Sequence, residues 1–425
     1  MQCVFYLLLR ALDTIEDDMD LGKFEAFCDE DASTPLLAKQ RLVRTFYSLL
    51  DRATAASYPL DKVIATSLGV EADRALLSGL PELLQAFHDQ LTNAQAKAAV
   101  VAVTKEMGEG MAEFCGRDLR DGTSDVREYD RYCHYVAGTV GYGLTVIFHA
   151  FALERGAVID DEWDGMGKFL QRTNITRDVC EDAADGRGFW PQSMWKARGA
   201  TSLRTLDDVD VLDAMVRHAL ELFPTSVAYL ARLEHAAVFT FCALPQVMAV
   251  ATLAECYHNP NVFTGVVKIR TGAAASIMDA LMVSSLAVAR PAFAERAGHF
   301  LEAIKGRAAH VGDAETVAAC NCALEALDDS GMWVEPRSVV WVNLVITLVG
   351  LGYVSWVLRS YLAHLGIEST MADITGAFSL LMLMSVGWTL ISRGPARRLV
   401  ANVVGKETRG NNGFDRMGAV LRTRV

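Results

Sequence analysis

No proline occurs between Pro81 and Pro191, and the residues between them are rich in Ala, Leu, Glu, Lys and Met. Proline breaks helix interiors and those residue types favour them, so the stretch is predicted to be helical. Apolar side chains recur three and four residues apart, as in Leu76, Leu80, Leu83, Leu84 and Phe87, and sustained apolar–polar alternation is not seen. The pattern predicts one all-α domain from residue 1 to about 330, with no evident repeat or low-complexity linker. A polar stretch, LDDSGMWVEPRS, follows it.

Two stretches place carboxylates beside apolar faces. In FYLLLRALDTIEDDMD, starting at Phe5, a helix would put Asp13, Glu16 and Asp17 at i, i+3 and i+4, on one face. In QRTNITRDVCEDAADGRGFW, starting at Gln171, Asp178, Glu181 and Asp182 repeat the spacing. Like charges so placed repel. A solvated acidic face explains either run alone, but two copies flanked by arginine and set in apolar sequence point to a shared task. Clustered carboxylates suit Mg²⁺, a hard cation that completes its shell with water and substrate phosphate oxygens. Arg10, Arg177 and Arg187 add planar donors for a diphosphate, although intrahelical pairing such as Arg10 with Asp13 is the alternative. The chemistry this suggests is ionisation, with the metal neutralising a leaving diphosphate and an apolar helical pocket keeping the carbocation from water.

The net charge of -12 argues against a nucleic-acid partner. Nine scattered cysteines form neither a zinc spacing nor a disulfide framework, which fits a reducing compartment. The apolar turn Val4 to Leu9 is too short for a secretory signal. There is no P-loop, and GYG at Gly141 to Gly143 lacks the rest of a dinucleotide fingerprint. The glycines of VAGTVGYGLT are predicted to mark close helix packing or a bend beside a ligand. Hydrophobic residues make up 52% of the chain, more than an ordinary core requires. Two uncharged runs, residues 339–358 and 374–391, account for part of this as candidate membrane helices, with buried core helices as the alternative. Arginines and lysines follow the second run, so the positive-inside bias places both ends of the hairpin, and the tail at 392–425, on the cytosolic side.

Five segments, FYLLLRALDTIEDDMD, YCHYVAGTVGYGLT, FLQRTNITRDVCEDAADGRGFWP, FCALPQVMAVATLAECY and VFTGVVKIRTG, resemble in order and spacing the motifs of eukaryotic squalene synthases. The resemblance covers residues 1 to about 285. It implies an all-α isoprenoid-synthase fold with a C-terminal transmembrane hairpin, in a monomer held in the endoplasmic reticulum membrane with its catalytic domain facing the cytosol. The implied activity joins two farnesyl diphosphates head to head into presqualene diphosphate, then reduces and rearranges it to squalene with NADPH, committing isoprenoids to sterols. A presqualene diphosphate or phytoene synthase, or a non-catalytic homologue, would share the acidic motifs.

Carried over by resemblance, Asp13, Glu16 and Asp17 bind Mg²⁺ and diphosphate, with Arg10 on the phosphate and Tyr6 lining the pocket. Asp178 and Asp182 do the same, supported by Glu181, Arg177 and Arg187, with Gln171 and Asn174 nearby. Tyr132 assists proton removal and carbocation control in the first half-reaction. Phe241, Cys242, Pro245 and Gln246 shape the pocket of the second, with Phe241 facing cationic intermediates. Lys268 and Arg270 match the segment associated with NADPH. The family also carries some tens of residues before FYL, including a Ser-Arg-Ser-Phe segment whose arginine contacts diphosphate, which has no counterpart here.

Overall fold

Among the described residues every regular element is helical, as the proline-free, 3.6-periodic sequence requires. A computed structural model describes residues 2–66, 68–69, 71–156 and 160–333. The two apolar runs at 339–358 and 374–391 and the tail at 392–425 lie outside them. The helices are, in order, α1 (Gln2–Asp17), α2 (Pro35–Thr45), α3 (Leu60–Ala65), α4 (Glu71–Ser78), α5 (Leu80–Gln90) and α6 (Ala94–Cys115). Next come α7 (Val126–Cys133), α8 (Thr139–Ala150), α9 (Asp160–Arg177), α10 (Val179–Asp185), α11 (Gln192–Trp195) and α12 (Val209–Leu220). The last are α13 (Phe223–Arg232), α14 (Ala236–Cys256), α15 (Thr271–Leu281), α16 (Leu286–Val311) and α17 (Ala314–Asp329). Residues 1–330 form one compact unit.

Local chemistry sets many boundaries. Thr34 accepts the Leu37 N–H at 3.3 Å with Pro35 opening α2, and Asn93 accepts the Ala96 N–H at 3.0 Å to open α6. Asp125 caps α7 through the Glu128 N–H at 2.9 Å, while Glu128 reaches back to the Ser124 N–H at 2.6 Å. Each such cap contributes about 1 kcal/mol. The Leu76 to Phe87 periodicity spans two helices, because the chain breaks at Gly79 between α4 and α5.

α1 owes its position to burial. Phe5, Leu8, Leu12 and Ile15 are almost fully enclosed, each contributing roughly 2 kcal/mol. That fixed apolar stripe turns Arg10, Asp13 and Asp17 to the other side. α14 is apolar on nearly all faces and is long enough to cross a membrane, but here it is a core helix: Ala243, Val247, Val250 and Leu253 are fully buried. It packs against α9 and α16.

The glycines of VAGTVGYGLT do mark close packing. A side chain on Gly141 would collide with the Trp163 carbonyl of α9, so α8 and α9 approach where only glycine fits. Residues His134–Gly138, between α7 and α8, form a π-helical turn that the sequence does not announce. Such turns re-aim a helix and are frequent beside functional sites.

Candidate active site

One oxygen from each of Asp13, Glu16 and Asp17 lies within 4.8 Å of the others, as their shared face on α1 requires. Arg10, one turn earlier, pairs with Asp13, stands 3.7 Å from Asp17 and bonds Asp73 of α4 at 3.1 Å. Burial works against the Arg10 charge, but Asp13, Asp73 and Asp17 outweigh it and raise its pKa. Asp18, the next carboxylate in the run, turns away: it is buried and accepts from Lys23 at 2.8 Å and from the Gly69 N–H at 2.7 Å. The acidic run therefore divides into an open cluster and a structural anchor.

The second motif departs from its expected single helical face. α9 ends at Arg177, and Asp178 adopts φ −94°, ψ 8° before α10 begins at Val179. Backbone bonds continue through the break, from the Asp178 N–H to Asn174 at 2.9 Å and from the Asp182 N–H to Asp178 at 3.0 Å. The Arg177 guanidinium takes both Asp178 oxygens, at 2.6 and 2.5 Å. Glu181 is exposed, so these three carboxylates do not converge as the first three do. Gln171 and Asn174 share their face of α9, half-buried and exposed respectively.

The two motifs meet at Arg187. Gly186, at φ 73°, is in the left-handed conformation that ends α10 and turns the chain back. The Gly186 N–H bonds Ala183 at 3.2 Å and the Arg187 N–H bonds Asp182 at 2.8 Å, the paired bonds of a Schellman turn. The Arg187 side chain then reaches α1, pairing with Asp17 and lying 3.7 Å from Glu16. Burial opposes its charge, and Glu16 and Asp17 hold it protonated.

The carboxylates show the strain of this gathering. Burial, and then Asp17, push the Asp13 pKa up. Burial raises Glu16 as well, with Arg187 opposing and Asp17 adding. Asp182 is pushed up to about 7, by burial first and then by Asp178 and Asp17 against the pull of Arg187. Glu16 Oε2 is buried with no hydrogen-bond partner. A buried carboxylate oxygen that has Arg187 at 3.7 Å but accepts no hydrogen bond among the described residues, set beside other hard oxygen donors, fits a divalent cation such as Mg²⁺.

Tyr132, near the end of α7, is close enough to this cluster to feel Glu16 and Arg187. Its ring stacks on Phe189 at 4.1 Å, 16° from parallel, and meets Phe114 edge-on at 5.0 Å. Burial, and then the negative charge of Glu16, keep its phenol protonated well above the usual range. Tyr6 shares the Arg10 face of α1 and is exposed. Phe241, Cys242, Pro245 and Gln246 form a second group on α14. Phe241 is exposed and edge-on to Phe148 of α8, while Cys242 and Gln246 are buried. Pro245 has no N–H for the Phe241 carbonyl four residues back, which leaves that oxygen free of the helix ladder. Lys268 and Arg270 are exposed on the segment leading into α15.

Sequence reasoning missed Asp73, Phe114 and Cys115, whose thiol lies 3.8 Å from Glu16. None belongs to a motif with a spacing to read. Phe189 was visible in the GRGFW segment but had no assigned role.

An all-helical unit in which carboxylates from α1 and α10 gather round one arginine defines a protein of the isoprenoid-synthase class. The squalene/phytoene synthase family model matches residues 2–273, and the chain belongs to that family. It is 40% identical to the squalene synthase of Bos taurus over 284 residues, 65% of this chain and 61% of that protein. The Homo sapiens squalene synthase is 39% identical with the same coverage, and that of Dictyostelium discoideum 37% identical over 300 residues, 67% of this chain and 64% of that protein. The chain thus spans less than two thirds of the length of these curated relatives. A solved structure of TcSQS with the ligand BPH1237 superposes with a TM-score of 0.64 at 31% identity, covering 77% of this chain and 90% of that one.

Proposed function

We propose that this chain acts as a squalene synthase, joining two farnesyl diphosphates into presqualene diphosphate with Mg²⁺ and converting that to squalene with NADPH. The observation that carries the reading is the meeting of Asp13, Glu16, Asp17 and Arg187, with Tyr132 close enough to feel Glu16 and Asp182 close enough to feel Asp17.

Asp13, Glu16, Asp17, Asp178 and Asp182 would hold Mg²⁺, with Glu181 in support. The metal would supply charge neutralisation of the leaving diphosphate. Arg10 and Arg187 bind phosphate oxygens, exchanging carboxylate partners for substrate ones through charge-assisted bonds. Gln171, Asn174 and Arg177 border the diphosphate on the α9 side, and Tyr6 borders it on α1. Tyr132 presents a neutral phenol, its ring held in place by the stack on Phe189 and the contact with Phe114. A neutral phenol takes a substrate proton only by handing on its own, and a released diphosphate oxygen is a suitable acceptor. Phe241, Cys242, Pro245 and Gln246 line the apolar site of the second half-reaction, with Phe241 facing its cations. Lys268 and Arg270 are exposed cations, which fits dinucleotide phosphates. NADPH bound there would supply the hydride.

The apolar runs at 339–358 and 374–391 would anchor this enzyme, as a monomer, in the endoplasmic reticulum membrane with residues 1–330 in the cytosol. Such an anchor suits a hydrocarbon product too insoluble to diffuse through water. The test is mass-spectrometric product analysis of the full chain with farnesyl diphosphate and Mg²⁺, with and without NADPH. Squalene only with NADPH supports the reading. Presqualene diphosphate alone in both cases would limit the chain to the first half-reaction, and no product in either would refute the activity.

A further inference from the structure

His258 is one of two non-glycine residues with positive φ among the described residues, at 51°. It follows Tyr257, whose φ −54° and ψ 125° end α14, and the Asn259 N–H bonds the Cys256 carbonyl at 3.1 Å. Those features make residues 256–259 a type II turn, whose third position ordinarily takes glycine or asparagine. Here it is histidine, and Asp213 of α12 grips it twice: Oδ1 accepts the His258 backbone N–H at 2.6 Å and Oδ2 accepts from Nδ1 at 2.8 Å.

The turn is clamped from other sides as well. Arg307 of α16 donates to the Tyr257 carbonyl at 3.4 Å and to that of Ala254, and the Tyr257 hydroxyl donates to Asp313 at 3.0 Å. A disfavoured conformation persists where its surroundings over-determine it, and such sites concentrate at functional segments. The segment leaving this turn joins both halves of the proposed chemistry. Its short helix Pro260–Phe263 packs on α10, which carries Asp182, and Phe263 meets Trp190 at 5.9 Å. It then runs on through Gly265 to Lys268 and Arg270.

We infer that His258, held left-handed by Asp213, is a positioning residue that sets the course of residues 259–270 and so presents Lys268 and Arg270 to the dinucleotide. This rests on the squalene synthase reading. Among the described residues the clamp's hydrogen bonds join His258, Tyr257 and Ala254 to Asp213, Arg307 and Asp313, and none of them reaches the Arg10–Arg187 cluster, so its loss falls more heavily on the reductive half-reaction than on the condensation.

The experiment compares the full chain with His258→Val and His258→Asn. Valine can neither adopt the left-handed conformation easily nor bond Asp213 through its side chain, whereas asparagine tolerates the conformation. In His258→Val, KM for NADPH is expected to rise about tenfold while the rate of presqualene diphosphate formation changes less than about twofold, with His258→Asn restoring most of the loss. Hydrogen exchange of residues 259–270, measured on the same proteins, is expected to speed up in His258→Val and not in His258→Asn. Equal slowing of both half-reactions, or unchanged KM for NADPH, would overturn the inference. If the parent makes no squalene, the activity reading fails and exchange decides alone: unchanged exchange in His258→Val would refute the clamp.

Discussion

The two acidic motifs share a spacing and differ in construction. The first lies on an unbroken helix whose buried stripe of Phe5, Leu8, Leu12 and Ile15 fixes its orientation, so its three carboxylates converge. The second straddles the junction of α9 and α10, where Arg177 holds Asp178 and Glu181 faces solvent, while Asp182 is buried enough to feel Asp17 and Arg187. Identical spacing in sequence thus yields a preformed cluster in one place and a half-assembled one in the other. The first motif is the fixed wall of the site, and the second closes on it through Arg187.

The largest effect should come from removing a carboxylate of the fixed wall. Asp13→Asn is expected to lower kcat for presqualene diphosphate formation by about 10²- to 10³-fold, the loss typical of one preorganised electrostatic group. Asp178→Asn, whose partner is Arg177, should cost less, and equal losses in steady-state kinetics would remove the distinction between the motifs.

Arg187→Met should come next. It leaves Glu16 and Asp17 without their counter-charge and is expected to destabilise the metal-free protein by about 3 kcal/mol. Denaturant melts with and without Mg²⁺ check this, and added Mg²⁺ should restore part of the loss. A variant as stable as the parent would mean that Arg187 does not neutralise the cluster.

The pH dependence has a definite sign. Asp13, Glu16 and Asp182 have folded pKa values raised above their unfolded ones, by burial foremost, with Asp182 at about 7. The folded state therefore holds more protons than the unfolded state between roughly pH 4 and 7, and these groups make it less stable as pH rises through that window. Without metal, Tm should fall from pH 5 to pH 8 on their account, and the gain from Mg²⁺ should be greater at pH 8, where the carboxylates are free to bind. A Mg²⁺ gain that shrinks with rising pH would contradict this.

A smaller effect is expected for Asp73→Asn. Asp73 shares Arg10 with the first motif in a partly exposed pair, so its loss should change KM for farnesyl diphosphate only a few-fold. Unchanged KM would show that α4 does not help to hold Arg10.

The same comparison explains what could be read from the sequence. The i, i+3, i+4 spacing placed Asp13, Glu16 and Asp17 on one face because α1 is regular, and the close packing of VAGTVGYGLT was legible because only glycine allows it. The break at Asp178 was not, since neither glycine nor proline marks RDVCED and the backbone bonds run through it. The π-helical turn at His134–Gly138 has no compositional signal either. Asp73 meets Arg10 only through the tertiary packing of α4 beside α1, a contact that no local pattern encodes. Gly186 could have been read from the DGR sequence as a helix stop, but that Arg187 would then reach Asp17 follows only from the fold.

The most direct test of the joint site is calorimetric titration of inorganic diphosphate into the full chain, with and without Mg²⁺, beside Asp13→Asn and Asp182→Asn. If the two motifs act together, diphosphate binds only with Mg²⁺, and either substitution weakens it strongly. Binding of equal strength without metal, or undiminished in one of the variants, would show that the motifs do not form a single diphosphate site.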